Sequence, residues 1–82
     1  MNIHKNLHFT LLIRIQGRLR EFNFRKRPDN NYDVDVADER GNRIQFRIMQ
    51  EESKFIKGDN LPAWITANQE AIFTGLEQNE PQ

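Results

Sequence analysis

From Leu7 to Ile15 the apolar residues fall at every second position: Leu7, Phe9, Leu11, Ile13 and Ile15. A period of two marks a strand with one buried face. Gln16-Gly17 follows, and glycine readily takes the positive φ of a tight hairpin turn, so Ile15 and Arg18 are predicted to close a hairpin. Leu19 to Lys26 then carries Phe22 and Phe24 on one face. Arg27-Pro28-Asp29-Asn30-Asn31 reads as a three-residue loop, with proline presetting the first position and Asn30 tolerating the left-handed third. Tyr32, Val34 and Val36 alternate with Asp33 and Asp35. Asp38-Glu39-Arg40-Gly41-Asn42 repeats the loop design, with Gly41 in the left-handed place. Ile44, Phe46 and Ile48 alternate with Gln45, Arg47 and Met49.

The turns fix which residues face each other. Ile15 opposite Arg18, Arg27 opposite Asn31 and Asp38 opposite Asn42 generate two cross-sheet rows, Phe9–Phe24–Val34–Phe46 and Leu11–Phe22–Val36–Ile44. Both rows are wholly apolar and share a face. A slip of one residue in any turn would scatter them over both faces, so their agreement supports a four-stranded meander. The flanking rows, Leu7–Lys26–Tyr32–Ile48 and Ile13–Arg20–Asp38–Asn42, are mixed. Arg20 opposite Asp38 marks the margin of the core.

Lys54-Phe55-Ile56-Lys57 reads as a short fifth strand, after a turn at Gln50-Glu51-Glu52-Ser53. Gly58-Asp59-Asn60 is a loop and helix-start signal, and Pro62 suits a first helical turn. Leu61, Trp64, Ile65, Ile72, Phe73 and Leu76 then form a stripe at helical spacing, interrupted at Thr66 to Gln69, where a kink or a re-capped second helix fits. Gly75 weakens the last turn, and Glu77 to Gln82 reads as a polar tail. One apolar sheet face needs a cover, and Trp64, Ile65, Ile72, Phe73 and Leu76 are the residues left to supply it. The predicted fold is α+β: a four- or five-stranded antiparallel β-meander with one C-terminal α-helix packed on one face. It forms a single domain over residues 1–78, with 79–82 as a disordered tail.

Composition mostly excludes. The chain has 82 residues, enough for one small core. It has no cysteine, which removes disulfides, thiolate metal sites and a Cys nucleophile. No apolar run approaches a membrane span, and no secretory signal is visible, so a cytoplasmic protein without membrane contact is expected. Twelve Lys and Arg balance twelve Asp and Glu, yet the charge is uneven along the chain. Residues 14–27 hold Arg14, Arg18, Arg20, Arg25, Lys26 and Arg27 against Glu21 alone, a net of +5.

Basic residues interleaved with aromatics suggest single-stranded nucleic acid, with Arg18, Arg25, Lys26 and Arg27 as contacts. The register counts against it, because Phe22 and Phe24 fall on the covered face. It also sets His8–Arg25–Asp33–Arg47 in one outward row, where charges of opposite sign neutralise each other. Nucleic acid is therefore the weaker alternative. His4 and His8 have metal spacing only on a helix, and His8 lies in a strand, so no metal is expected. Asp33 and Asp35 point the same way, but arginines face them. Ser53 has no placed base, and the glycines mark turns rather than a phosphate loop. No residue set supports catalysis, and no cofactor is implied.

What remains is strand one. As an edge strand it carries no proline and no inward charge. Leu12 points to the otherwise polar face, with Leu19 as its diagonal neighbour on strand two. Leu11, Leu12, Ile13, Arg14 and Leu19 are the candidate interaction edge of a non-catalytic interaction or assembly module, open to a second copy as a homodimer or to an extended peptide.

Overall fold

A computed structural model describes residues 8–51 and 53–79. Five strands, β1 (His8–Ile15), β2 (Arg18–Lys26), β3 (Tyr32–Ala37), β4 (Arg43–Gln50) and β5 (Lys54–Lys57), lie in the order β1-β2-β3-β4-β5. Every neighbouring pair is antiparallel. Two helices follow, α1 (Ala63–Ala67) and α2 (Gln69–Asn79). The chain is an α+β fold built on a five-stranded meander, and the fifth strand is present.

The turns have the chemistry their residues imply. Gln16 and Gly17 both sit at positive φ, 52° and 80°, as a type I′ hairpin requires. Asn30 and Gly41 take the left-handed third place of the two longer loops, at φ 73° and 84°. Arg27 N–H donates to Asn31 O at 2.8 Å, and Asp38 N–H donates to Asn42 O at 2.9 Å. The register follows: Phe9–Phe24–Val34–Phe46 and Leu11–Phe22–Val36–Ile44 are the cross-sheet rows. Lys26–Tyr32–Ile48 continues into Ile56 of β5. Leu7, His4, Glu52 and the segment 80–82 lie outside the described residues.

Phe22, Phe24, Tyr32, Val34, Val36 and Ile48 are buried on the inner face, under Ile65, Ile72, Phe73 and Leu76. Each such side chain stabilises the fold by roughly 1.5–3 kcal/mol through burial. Phe24 stacks on Phe9 with ring centres 5.2 Å apart and meets Tyr32 edge-on at 6.4 Å.

The interruption at Thr66 to Gln69 takes the form of a second helix rather than a kink in one. α1 ends at Asn68, whose side-chain Nδ2 donates to Trp64 O at 2.8 Å. Its own N–H is left with Ile65 O at 3.2 Å, and its carbonyl accepts Ile72 N–H at the start of α2. An asparagine that competes for the backbone in this way ends one helix and begins the next. Pro62 is the N-cap residue of α1, one place before its first turn. α2 continues to Asn79, through Glu77 and Gln78, which their polarity assigned to a tail. Trp64 is half-buried beside the core rather than within it.

α2 lies chiefly against β1. Gly75 makes this approach close: a Cβ there would stand 3.2 Å from Ile13 Cδ1 and 3.7 Å from Leu11 Cδ1. Further along, Glu77 Oε2 reaches Lys54 Nζ of β5 at 3.0 Å. The helix therefore touches both outer strands of the sheet from its inner side.

Candidate interaction edge

β1 pairs with β2 alone. The type I′ turn makes Ile15–Arg18 a hydrogen-bonded pair, and such pairs alternate along an antiparallel ladder. The backbones of Arg14, Leu12, Thr10 and His8 are thereby turned away from β2. Among the described residues no backbone hydrogen bond reaches this side of β1.

The pleat puts the side chains of these residues on the outer face. Leu12 is 64% exposed and Leu19 56%, so the predicted pair does form an apolar patch beside the open edge. Ile13 and Leu11 point the other way: Ile13 is buried under α2 and Leu11 is half-buried. They belong to the core, and the accessible part of the edge is Leu12, Arg14, Leu19 and the outward backbone. Arg14 Nη1 donates to Gly17 O at 3.2 Å, across its own turn, and has no carboxylate partner among the described residues.

The basic segment is divided by the pleat, and most of its arginines are drawn to two carboxylates. Arg25, Arg27 and Arg47 converge on Asp33 at 3.7, 3.1 and 3.1 Å. Burial pushes the Asp33 carboxyl up, but bonds from Arg47 and Arg27 outweigh it and hold the group below the usual carboxylate range. Arg27, which falls outside the ladder, is thus drawn in diagonally, and its bond to Asp33 raises its own pKa. Arg43 reaches Asp35 at 2.8 Å. Arg18 lies 3.9 Å from Glu39, and Lys26 sits on the opposite face, over the Tyr32 ring. Arg20 pairs with Glu39 at 3.2 Å, not with Asp38 as the row implies, and its guanidinium covers Trp64 at 5.1 Å. Asp38 instead serves its own loop, accepting N–H bonds from Arg40 and Asn42.

A shallow groove of about 730 Å³ runs over the outer face, lined by Arg25, Arg47 and Lys57 together with Asp33, Asp35 and Asp59. Cations and anions balance in it. Among the described residues no three His, Asp or Glu side chains gather to hold a metal, and no described helix is long and apolar enough to cross a membrane. Phe22 and Phe24 are fully buried, so neither can stack on a base.

Sequence reasoning missed two features. Phe55 is 43% exposed on the outer face of β5, beside Met49. The signal was available, since Phe55 and Ile56 are adjacent in a strand and one must point outward. The meeting of Arg27 with Asp33 is diagonal, and straight rows do not reveal it. No family model, no curated protein and no solved structure matches this chain.

Proposed function

We propose that this domain is a small cytoplasmic, non-catalytic association module that takes an extended strand onto the free edge of β1. The observation that carries the reading is a coincidence at one place. The outward backbone groups of Thr10, Leu12 and Arg14 have no partner among the described residues, and Leu12 and Leu19 leave an apolar patch beside them. Backbone pairing supplies affinity in strand addition, and alternate side chains supply selectivity. Long edges without an inward charge or proline are normally avoided, so leaving one open has a cost that binding would offset. The nucleic-acid alternative through Arg18, Arg25, Lys26 and Arg27 loses support from the burial of the phenylalanines and from the ion pairs that occupy three of the four cations.

Amide hydrogen exchange tests this. A capped octapeptide alternating threonine and valine is added to the protein. The Thr10, Leu12 and Arg14 amides are expected to slow as peptide is titrated, while those of Lys54 and Ile56, which point outward at the other edge, do not change. Equal slowing at both edges, or none at either, removes the reading.

A further inference from the structure

We infer that the strand fitting this edge is a bare extended segment carrying an acidic residue two places from an apolar one, rather than a second copy of the chain. The inference rests on the β1 reading above and adds the chemistry of the occupant.

The helical layer argues against a second copy. Two copies joined through β1 in antiparallel fashion would set their strands about 4.8 Å apart. The two-fold relation would put both α2 helices on the same face, each lying against its own β1. Packed helices need about 8–10 Å between axes. The close seat of α2 at Gly75, on Ile13 and Leu11, leaves it little freedom to retreat. A segment with no covering layer of its own meets no such obstacle.

Charge selects the segment. Most cations of the β1–β2 hairpin have a carboxylate within 4 Å: Arg18 and Arg20 share Glu39, and Arg25 and Arg27 share Asp33. Lys26 faces the inner side, over Tyr32. Glu21, diagonal to Arg14 on β2, lies away from the edge. It helps the Asp35 bond and the Asp35 charge to hold Arg43 above its ordinary pKa. Among the described residues Arg14 is left at the rim with only the Gly17 carbonyl, two residues from Leu12 on the same face. A strand laid along β1 presents its own side chains at the same spacing of two. An apolar residue against Leu12 and a carboxylate against Arg14 therefore fall on one face of the incoming segment. Opposite charges across a strand pair favour it, and like charges oppose it.

The test uses two capped octapeptides of alternating threonine and valine, with one valine replaced by glutamate in the first and by lysine in the second. The glutamate peptide is expected to bind roughly three- to ten-fold more tightly than the lysine peptide at low salt. In Arg14→Gln the ratio should collapse to about one, because no charge remains at the rim. Equal affinities for the unmodified protein, or a preference that survives Arg14→Gln, overturn the acidic occupant while leaving the edge in place. A sedimenting mass that doubles with protein concentration, with the β1 amides slowing in step, puts a second copy on the edge and overturns the bare segment. If neither peptide slows the Thr10, Leu12 and Arg14 amides and the protein stays monomeric, the edge reading falls with it.

Discussion

The sheet ends in two edges that are built differently. β5 is four residues long, with lysine at each end, and Lys54 is tied to Glu77 of α2. β1 is eight residues long and carries Leu12 in its middle. Shortness and lysine are two of the devices that keep an edge from pairing with foreign chains. β5 has both, and its exposed Phe55 is followed on the same face by Lys57. β1 has neither, although its inner side is the one on which α2 packs most closely. Stability and accessibility are thus assigned to opposite sides of one strand. The odd residues Leu11, Ile13 and Ile15 face the helices and core, and the even residues with the outward backbone face solvent.

The largest expected difference between the edges lies on their inner sides. Ile13 is buried beneath α2 at Gly75, whereas Ile56 is only half-buried. Ile13→Ala should cost about 2–4 kcal/mol, against about 1–2 kcal/mol for Ile56→Ala. Urea unfolding of the two variants measures both. Equal losses would mean that α2 is not anchored mainly on β1.

A smaller effect comes from the link between the two halves of the sheet. Asp33 on β3 accepts from Arg27 beyond the end of β2 and from Arg47 on β4, so it fastens the half ending in β1 to the half ending in β5. Its carboxyl pKa is depressed in the folded chain, burial raising it and the Arg47 and Arg27 bonds lowering it further. Its contribution is therefore present above the unfolded value near ~3.9 and is lost as pH falls through the lower folded value. Asp33→Asn should destabilise by about 1 kcal/mol at neutral pH, and the gap to the parent should close on acidification. Urea midpoints measured across that range check it. A gap that stays constant below pH ~3 would show that charge is not its source.

How much of this was legible follows from what each feature depends on. Gly17, Asn30 and Gly41 each announce a positive φ, and the lengths of the three turns fix the parity of every strand that follows. The two apolar rows and the outward aim of Leu12 and Leu19 needed nothing else. Depth was less legible than facing: the helical stripe includes Trp64 but does not say that it stops beside Arg20 instead of entering the core. The break at Asn68 depends on one side chain competing for a backbone carbonyl, which propensity does not resolve. Ion pairs to loops and along diagonals, Arg20 with Glu39 and Arg27 with Asp33, lie outside any straight ladder.

The smallest effect on stability belongs to the substitution that makes β1 resemble β5. Leu12 touches little of the core and is mostly in water, so Leu12→Lys should change folding free energy by no more than about 0.5 kcal/mol. The same change puts a lysine in the middle of the open edge and removes half of the apolar patch. Peptide binding to β1 should then fall at least about ten-fold while the melting curve stays in place. The dissociation between the two readouts is the informative quantity. A variant that unfolds early would mean that the outer face of β1 supports the core after all. One that melts normally and binds as before would mean that Leu12 and its edge are a bystander, and that β1 and β5 differ in form without differing in use.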